Sequence, residues 1–238
     1  MTNVDFGKPI FVPDRKQIFG TGVAPVDFPE AFGTNDVLKH ALSALQRGPI
    51  HFLRNNVIAC EGDAADYIFF AVSGVVRSCK SYENGGRSIS AFYLPGDLFG
   101  FTDQKYCRLS VEAATDAMVL FIKRVPFLSI ALRERRVASF LLGIMTNELR
   151  RAQEHALLMS KNATCRLAMF LTDLWMRSGK EKYLDIPMSH RDIADHLGLA
   201  IETVSRTITN MERAGLVRRI SPRSLIMQNH FALEQMIH

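Results

Sequence analysis

The spacing of apolar residues changes character along the chain and predicts two kinds of structure. From 50 to 124, short apolar or alternating runs are separated by turns that contain glycine, as at Gly62, Gly74 and Gly96. This pattern is typical of an all-β domain. The pair Asn84-Gly85 predicts a two-residue type I′ hairpin turn, because both residues tolerate a positive φ.

The segment before these strands shows two different patterns. Residues 1–33 contain prolines that interrupt every short apolar run, so we expect an N-terminal tail rather than a folded element. In NDVLKHALSAL, over 34–47, the apolar residues repeat at helical spacing. This segment predicts a short amphipathic helix.

A long helical pattern follows from 125 to 160. Its apolar residues recur every three or four positions and form one continuous seam. Such a seam is too long for one compact domain to cover easily, so we expect a second copy of the helix to pack on it. The alternative is a helix buried within its own chain. The predicted dimer-interface residues are Leu141, Met145, Leu149, Ala152, Ala156 and Met159.

The C-terminal part, residues 161–238, predicts two short helices joined by a tight turn. After a further amphipathic helix, ATCRLAMFLTDLWMRSG, Ser189 and Asp192 have the spacing of a capping box that begins a helix. Gly198 provides a sharp turn, and a second helix over 201–214 ends before Gly215. The sequence therefore predicts a helix-turn-helix.

Two short strands follow this pair of helices. LVRRI and SLIMQ are joined by a loop that contains Pro222, where proline costs no hydrogen bond of the ladder. A hairpin in this place is typical of the wing of a winged helix-turn-helix.

The second helix of the pair carries residue types that can contact bases. Glu202 and Arg206 are four residues apart and share one face with Ile201 and Ser205. Arginine can bond guanine O6 and N7, glutamate can accept from a cytosine amine, and isoleucine can contact a thymine methyl. Alternatively, Glu202 and Arg206 form a solvated ion pair worth only about 0.3–0.5 kcal/mol.

The charge of the chain agrees with a nucleic-acid partner. The formal net charge is +5, and residues 161–238 contribute +3 of it, with eleven Lys and Arg against eight Asp and Glu. Between 206 and 223 the only acid is Glu212. Such a cationic edge suits phosphate contacts. The arginines of this stretch are Arg206, Arg213, Arg218, Arg219 and Arg223.

Other features argue against several classes of protein. No apolar run approaches the ~18 residues of a membrane span, and the N-terminus lacks an export signal, so we expect a soluble cytoplasmic protein. The cysteines have no metal-ligand spacing, and we expect isolated reduced thiols. No P-loop, G-x-S-x-G or H-E-x-x-H motif is present, so we expect no enzyme. The four cysteines are Cys60, Cys79, Cys107 and Cys165.

Two segments resemble the signatures of the CRP/FNR family of transcription regulators. HRDIADHLGLAIETVSRTITNMERAGLV is similar to the family's DNA-recognition segment, and EGDAADYIFFAVSGVVR with LPGDLFGF is similar to its β-roll. The resemblance covers about 34 to 230. It implies an α+β fold with a cyclic-nucleotide-binding-like β-roll over 34–124, a dimerisation helix over 125–160 and a winged helix-turn-helix over 161–238.

The resemblance also implies roles for individual residues. Ile201, Glu202, Ser205 and Arg206 match the base-reading positions of the family. Its members act as homodimers on DNA and contact RNA polymerase, here expected through the hairpin over 83–87 and the faces of the β-roll. The phosphate-contacting positions of the family correspond to Ser189, Arg191 and Thr203.

The I-E-x-x-S-R form of this segment resembles the FNR and FixK branches, which implies a palindromic TTGA-N6-TCAA operator. Two departures narrow the assignment. The Gly-Glu-Leu segment and Arg-Ser pair of cyclic-nucleotide receptors are replaced, and residues 1–59 contain no Cys for an iron-sulfur cluster. The chain therefore resembles the FixK branch, whose members lack a recognised cofactor and mainly activate genes for low-oxygen respiration, denitrification or nitrogen fixation.

Two alternatives for regulation stay open at this point. The β-roll could bind a nucleotide, haem or organic acid and gate DNA binding, with Arg108 as an anion ligand. A thiol could instead act as a redox switch, with Cys165 nearest the DNA-binding domain.

Overall fold

The computed structural model describes residues 46–179 and 182–236. The predicted tail over 1–33 lies outside these residues, as does most of the helix predicted over 34–47, although Gln46 already begins a strand. The chain divides into two compact units, which we describe separately. One comprises the described residues of Met1–Lys80 together with Phe92–Val137, and the other Ser81–Ala91 together with the described residues of Ala138–His238.

Eight strands form the β-roll as two four-stranded sheets, with orders β1-β8-β3-β6 and β2-β7-β4-β5. The middle of β3 is buried without interruption, and Phe70 and Leu120 are fully enclosed, since a strand covered on both faces has no polar side. The rings of Tyr93 and Phe99 stack at 4.0 Å. The strands are β1 (Gln46–Phe52), β2 (Val57–Ala59), β3 (Tyr67–Ser73), β4 (Val76–Ser81), β5 (Arg87–Tyr93), β6 (Leu98–Phe99), β7 (Ser110–Ala113) and β8 (Ala117–Lys123).

The turn between β4 and β5 differs from the prediction. A type I′ turn requires a positive φ at both central residues, but Gly85 has φ 78° and Asn84 is not among the residues with positive φ. The Gly85 N–H donates to the carbonyl of Tyr82, and the Tyr82 N–H donates to that of Gly86. Glu83 and Asn84 therefore lie at the centre of the turn, and Gly85 takes the left-handed position after it.

The helix predicted over 125–160 is two helices, α1 (Arg124–Ala131) and α2 (Arg135–Leu158). The buried apolar face of α1 is formed by Phe127 and Ala131. The charged run over 133–136 is exposed throughout, so it offers no apolar contact that would hold a continuous helix. In the described part of the chain, no helix is both long and apolar enough to cross a lipid bilayer.

The second unit confirms the predicted helix-turn-helix and wing. Its sheet has the order β10-β11-β9. The short strand over 183–185, in which only Leu184 is buried, and the short helix over 230–235 were not predicted, because three and six residues carry too little periodicity. The elements are α3 (Ala163–Arg177), β9 (Tyr183–Asp185), α4 (His190–Leu197), α5 (Ile201–Arg213), β10 (Val217–Ser221), β11 (Ser224–Met227) and α6 (His230–Gln235).

Candidate DNA-binding site

The first helix of the candidate site, α4, begins with the predicted capping box. The Asp192 N–H donates to Ser189 Oγ at 3.1 Å, and the Ser189 N–H donates back to the Asp192 carboxylate at 3.3 Å. The Ser189 hydroxyl donates to the same carboxylate at 2.8 Å. These bonds satisfy N–H groups that a helix N-terminus leaves without partners, so the beginning of α4 is fixed locally.

The turn between α4 and α5 is closed by a glycine and an arginine. Gly198 has φ 61° and ψ 41°, a left-handed conformation that a residue with a Cβ adopts at a cost. The Arg166 guanidinium, from α3, donates to the carbonyls of Leu197 at 2.9 Å and Met159 at 2.6 Å. Arg166 thus ties the end of α4 to the end of α2. The sequence does not indicate this role, because no local pattern distinguishes a carbonyl-binding arginine from a solvated one.

The second helix, α5, has one buried face and one open face. Val204, Ile208 and Met211 are at most 2% exposed, so they fix the rotation of the helix about its axis. The predicted base-reading residues lie on the opposite, open face of α5. This face forms a groove lined by Ile201, Glu202, Ser205, Arg206, Thr209, Asn210 and Arg213, with His190 from α4.

Glu202 and Arg206 do not pair with each other. Among the described residues neither side chain has a hydrogen bond or ion pair, although the two residues stand at i,i+4. On α2 the same spacing does produce a pair, between Arg150 and Glu154 at 2.7 Å. The solvated ion pair considered as an alternative is therefore absent from α5, and both charges remain available to a ligand.

The wing presents further positive charge. Arg218, Arg219 and Arg223 are exposed on β10 and the turn after it. The Arg219 N–H donates to Glu212 Oε1 at 2.9 Å, which fastens β10 to the end of α5. The side of the site next to α5 is thus predominantly cationic, as binding to a phosphate backbone requires.

His190 was not predicted as a site residue, but it lines two neighbouring clefts of the site. It lines the groove on α5 and also the cleft formed with Glu212, Arg219 and the wing turn. Burial and the nearby Arg219 cation lower the pKa of His190. The side chain is therefore largely neutral at neutral pH and can donate a hydrogen bond into either cleft.

The predicted phosphate-contacting residues differ in their surroundings. The Ser189 hydroxyl is engaged in the capping box, whereas Arg191 is exposed and Thr203 is half-buried. Arg191 therefore has the greatest freedom of the three to reach a phosphate. All three assignments stay predictions.

The apolar seam of α2 is largely uncovered within one chain. Met145 and Leu149 are 51% and 59% exposed, whereas Leu141 is only 5% exposed. Leu142, one position further, is 68% exposed. The open seam therefore runs through Leu142 rather than Leu141. Ala152 and Ala156 are exposed on the same helix, and Met159, just beyond its end, is half-buried.

The arginines of the β-roll differ in how far they are engaged within the protein. Arg77 is 3% exposed and bound to Glu112 at 2.6 Å, and Arg124 donates to the carbonyl of Thr102. Arg108, the anion ligand considered above, is exposed. Of these three arginines only Arg77 is fully buried, and the Nε of Arg124 is buried without a hydrogen-bond partner among the described residues.

The cysteines lack the features of a redox switch or metal site. Cys165 is 7% exposed, and its thiol donates to the carbonyl of Met236. Burial, with the carboxylate of Asp63 beside them, raises the pKa of Cys60 and of Cys107, which lowers the thiolate fraction that reacts with oxidants. No cluster of three metal-ligating side chains occurs among the described residues.

Two domain families match this chain, and together they define its class. The Crp-like helix-turn-helix domain matches residues 165–236, and the cyclic nucleotide-binding domain matches residues 49–134. The chain is thus a helix-turn-helix transcription regulator with a β-roll. The homologous regulators are not enzymes.

Individual relatives narrow the class. The chain is 39% identical to the nitrogen fixation regulation protein FixK of Azorhizobium caulinodans, over 79% of this chain and 78% of that protein. It is 34% identical to FixK of Rhizobium meliloti, over 75% of this chain and 82% of that protein. The structure of FixK2 from Bradyrhizobium japonicum is similar, with a TM-score of 0.75 and 34% identity over 79% of this chain and 96% of that one. The chain therefore belongs to the CRP/FNR family and is FixK-like.

Proposed function

We propose that this protein binds a palindromic TTGA-N6-TCAA operator as a homodimer and activates transcription without a bound cofactor. The observation that carries the proposal is the open face of α5, where Glu202 and Arg206 have no partner among the described residues. Two opposite charges that stay unpaired at i,i+4 are suited to separate acceptors and donors on base edges.

The chemistry of this face supports the half-site TTGA. The Arg206 guanidinium can bond O6 and N7 of the guanine, and Glu202 can accept from the N4 amine of a cytosine. Ile201 has no donor for guanine, so a thymine methyl is its better partner, and Ser205 lies beside Arg206 on the same face. The groove thus suits one G·C pair next to thymines.

The operator spacing supports a dimer. The centres of TTGA and TCAA are one helical turn apart, about 34 Å, which places both half-sites on one face of the duplex. The exposed apolar seam of α2, with Met145 and Leu149 at its centre, is the surface that a second copy would cover. Two identical recognition helices would then face two inverted half-sites.

Activation is the role suggested by the relatives. Their names include nitrogen fixation regulation protein FixK and transcriptional activator protein FnrL. We propose that this protein likewise acts in the cytoplasm on genes of low-oxygen respiration, denitrification or nitrogen fixation. RNA polymerase would contact the exposed tip of the hairpin, residues 83–86.

Operator binding by the purified protein tests the proposal. Fluorescence anisotropy would compare a TTGA-N6-TCAA duplex with a TTAA-N6-TTAA duplex of the same length and charge, with and without cAMP. We expect tighter binding of the first duplex without ligand, since each mismatched pair costs about 1–3 kcal/mol. Equal binding of both duplexes contradicts base readout, and binding that requires cAMP contradicts independence from a ligand.

Sedimentation velocity tests the dimer. Leu149→Glu places a charge in the exposed seam, and we expect a monomer that no longer binds the full operator. Leu132→Glu is the matched control, because Leu132 is 90% exposed and lies between α1 and α2, outside the seam. A Leu149→Glu protein that stays dimeric would remove the seam from the interface.

A further inference from the structure

Arg87, the first residue of β5, binds the first helix of the DNA-binding site. Its Nε and Nη2 donate to Asp195 Oδ2 at 2.9 and 2.8 Å, and Nη2 also donates to Asp192 Oδ1 at 2.8 Å. Residues 81–91 belong to the same compact unit as α4. One guanidinium therefore joins two carboxylates that are three residues apart on that helix.

The contact with Asp192 affects the start of α4, because Asp192 also provides the carboxylate of the capping box. Its side chain is only 3% exposed, and while Oδ1 accepts from Arg87, Oδ2 accepts from the Ser189 hydroxyl. Without Arg87, a buried carboxylate would lose its cation, which is strongly destabilising. The capping box, and with it the first turn of α4, therefore depends on the positive charge of Arg87.

A second contact joins β5 to α4. Nδ1 of His196 lies 3.0 Å from the carbonyl of Ile89, and the ring stacks on His155 with 4.4 Å between centroids. Since a carbonyl only accepts, Nδ1 carries the proton and donates. The strand that carries Arg87 is thus attached at both ends of α4, near Asp192 and at His196.

The first turn of α4 also carries residues that face DNA in the proposed complex. His190 lines the groove on α5, and Arg191 is exposed beside it. Both directly precede Asp192 in the chain. A shift of the first turn would therefore move these two side chains, while the outward face of α5 is held by its own buried residues, Val204, Ile208 and Met211.

We propose that Arg87 is a positioning residue for the DNA-binding site, which holds the first turn of α4 so that His190 and Arg191 reach the phosphate backbone. The proposal rests on the DNA-binding function proposed above. It assigns to Arg87 a contribution to affinity on any duplex and none to the choice of base. The sequence gives no sign of it, because 105 residues separate Arg87 from Asp192.

The test compares Arg87→Gln with Lys80→Gln in the full-length protein. Lys80, on β4 of the same hairpin, forms one exposed pair with Glu61 at 2.8 Å. Both variants therefore remove one positive charge, but Lys80→Gln breaks one exposed ion pair and Arg87→Gln breaks the pairs with Asp192 and Asp195. Affinity for the TTGA-N6-TCAA and TTAA-N6-TTAA duplexes is measured by anisotropy, well below the melting temperature of each variant. We expect Arg87→Gln to bind both duplexes about tenfold more weakly with an unchanged ratio, and Lys80→Gln to match the wild type.

Hydrogen exchange and a second pair of variants separate positioning from loss of the fold. In Arg87→Gln the amides of the first turn of α4 should exchange faster, while those of α5 keep their protection. Arg87→Lys, which keeps the charge, should recover part of the affinity. Combined with Asp195→Asn, Arg87→Gln should cost less than the sum of the two single changes.

The outcomes also separate this proposal from the proposed function. If the wild type binds neither duplex, the DNA-binding proposal fails, and the exchange of the first turn of α4 still decides whether Arg87 fixes that turn. If the wild type binds and Arg87→Gln binds both duplexes as Lys80→Gln does, or more tightly, the positioning role of Arg87 is overturned. A change confined to the base preference overturns it as well.

Discussion

The β-roll and the DNA-binding unit use arginine in opposite ways. In the β-roll, Arg77 is 3% exposed and binds Glu112 and Asn55, so its charge is neutralised inside the protein. On α5, Arg206 is exposed and has no ion pair among the described residues. A buried charge must be paired to be tolerated, whereas an open one serves an external partner. Arg206 is therefore open to an external partner, whereas Arg77 serves the fold of the β-roll.

Removing the buried cation of the β-roll should have the largest effect. Arg77→Met removes the guanidinium that binds Glu112, whose side chain is only 17% exposed. We expect the free energy of unfolding to fall by about 3–5 kcal/mol, the usual cost of breaking a buried pair. Differential scanning calorimetry of the wild type and the variant would measure it.

Lys80→Met is the control for Arg77→Met, because the pair of Lys80 with Glu61 is 46% and 41% exposed. An exposed pair contributes at most about 1 kcal/mol. Arg77→Met combined with Glu112→Leu should recover much of the stability, since no charge is then left unpaired. Equal effects of Arg77→Met and Lys80→Met would show that the buried pair stabilises the fold no more than an exposed one, and the contrast between the two regions would be lost.

Acid should destabilise the DNA-binding unit through His196. Burial and the neighbouring His155 lower the pKa of His196 to about 4, with a smaller contribution from Arg177. In the unfolded chain the pKa returns to about 6.5, so between these values the unfolded state binds more protons. The free energy of unfolding should therefore be constant above about pH 6.5 and fall by roughly 3 kcal/mol towards pH 4.

Melting of the wild type and of His196→Asn between pH 4 and 8 would test this pH dependence. Asparagine can place a donor near the carbonyl of Ile89 without titrating, so the variant should lose the part of the slope that His196 contributes. His190→Asn is a control, because His190 lines an open groove, whereas His196 stacks on a second histidine, His155. A His196→Asn curve parallel to the wild-type curve would assign the slope to other groups.

Arg206→Ala should have the next largest effect, on DNA rather than on stability. We expect a loss of about 1–3 kcal/mol per half-site on the TTGA-N6-TCAA duplex, the usual value of a bidentate guanine contact. Binding of the TTAA-N6-TTAA duplex should change little. Arg108→Ala, which removes an exposed arginine of the β-roll, should leave both affinities unchanged. Equal weakening on both duplexes would reduce Arg206 to a phosphate contact.

The parts of this site that the sequence predicted are those set by neighbouring residues. The capping box of Ser189 and Asp192, the left-handed Gly198 and a second helix that begins at Ile201 all follow from local spacing, and all are present. Each of these signals acts over three or four residues. The family resemblance then provided the β-roll, whose strands alone would fit several all-β folds.

The parts that could not be predicted depend on contacts between distant segments. Arg87 and Asp195 are 108 residues apart, and nothing near either residue distinguishes it from a solvated charge. The break between α1 and α2 contains no proline or glycine, so helical periodicity continued through it. Leu141 and Leu142 are equally apolar, and only the structure shows which one is covered.

Arg191→Ala should have the smallest effect on DNA affinity. It separates charges that read bases from charges that only attract phosphate. Arg191 is exposed at the start of α4, one residue before Asp192. Arg191→Ala should weaken both duplexes by the same modest factor and reduce the slope of log K against log salt concentration by about 1, because one fewer counterion is released. Arg206→Ala should instead change the ratio between the duplexes. If Arg191→Ala leaves the salt dependence unchanged, its side chain does not contact phosphate, and the cationic surface that binds the backbone would be confined to α5 and the wing.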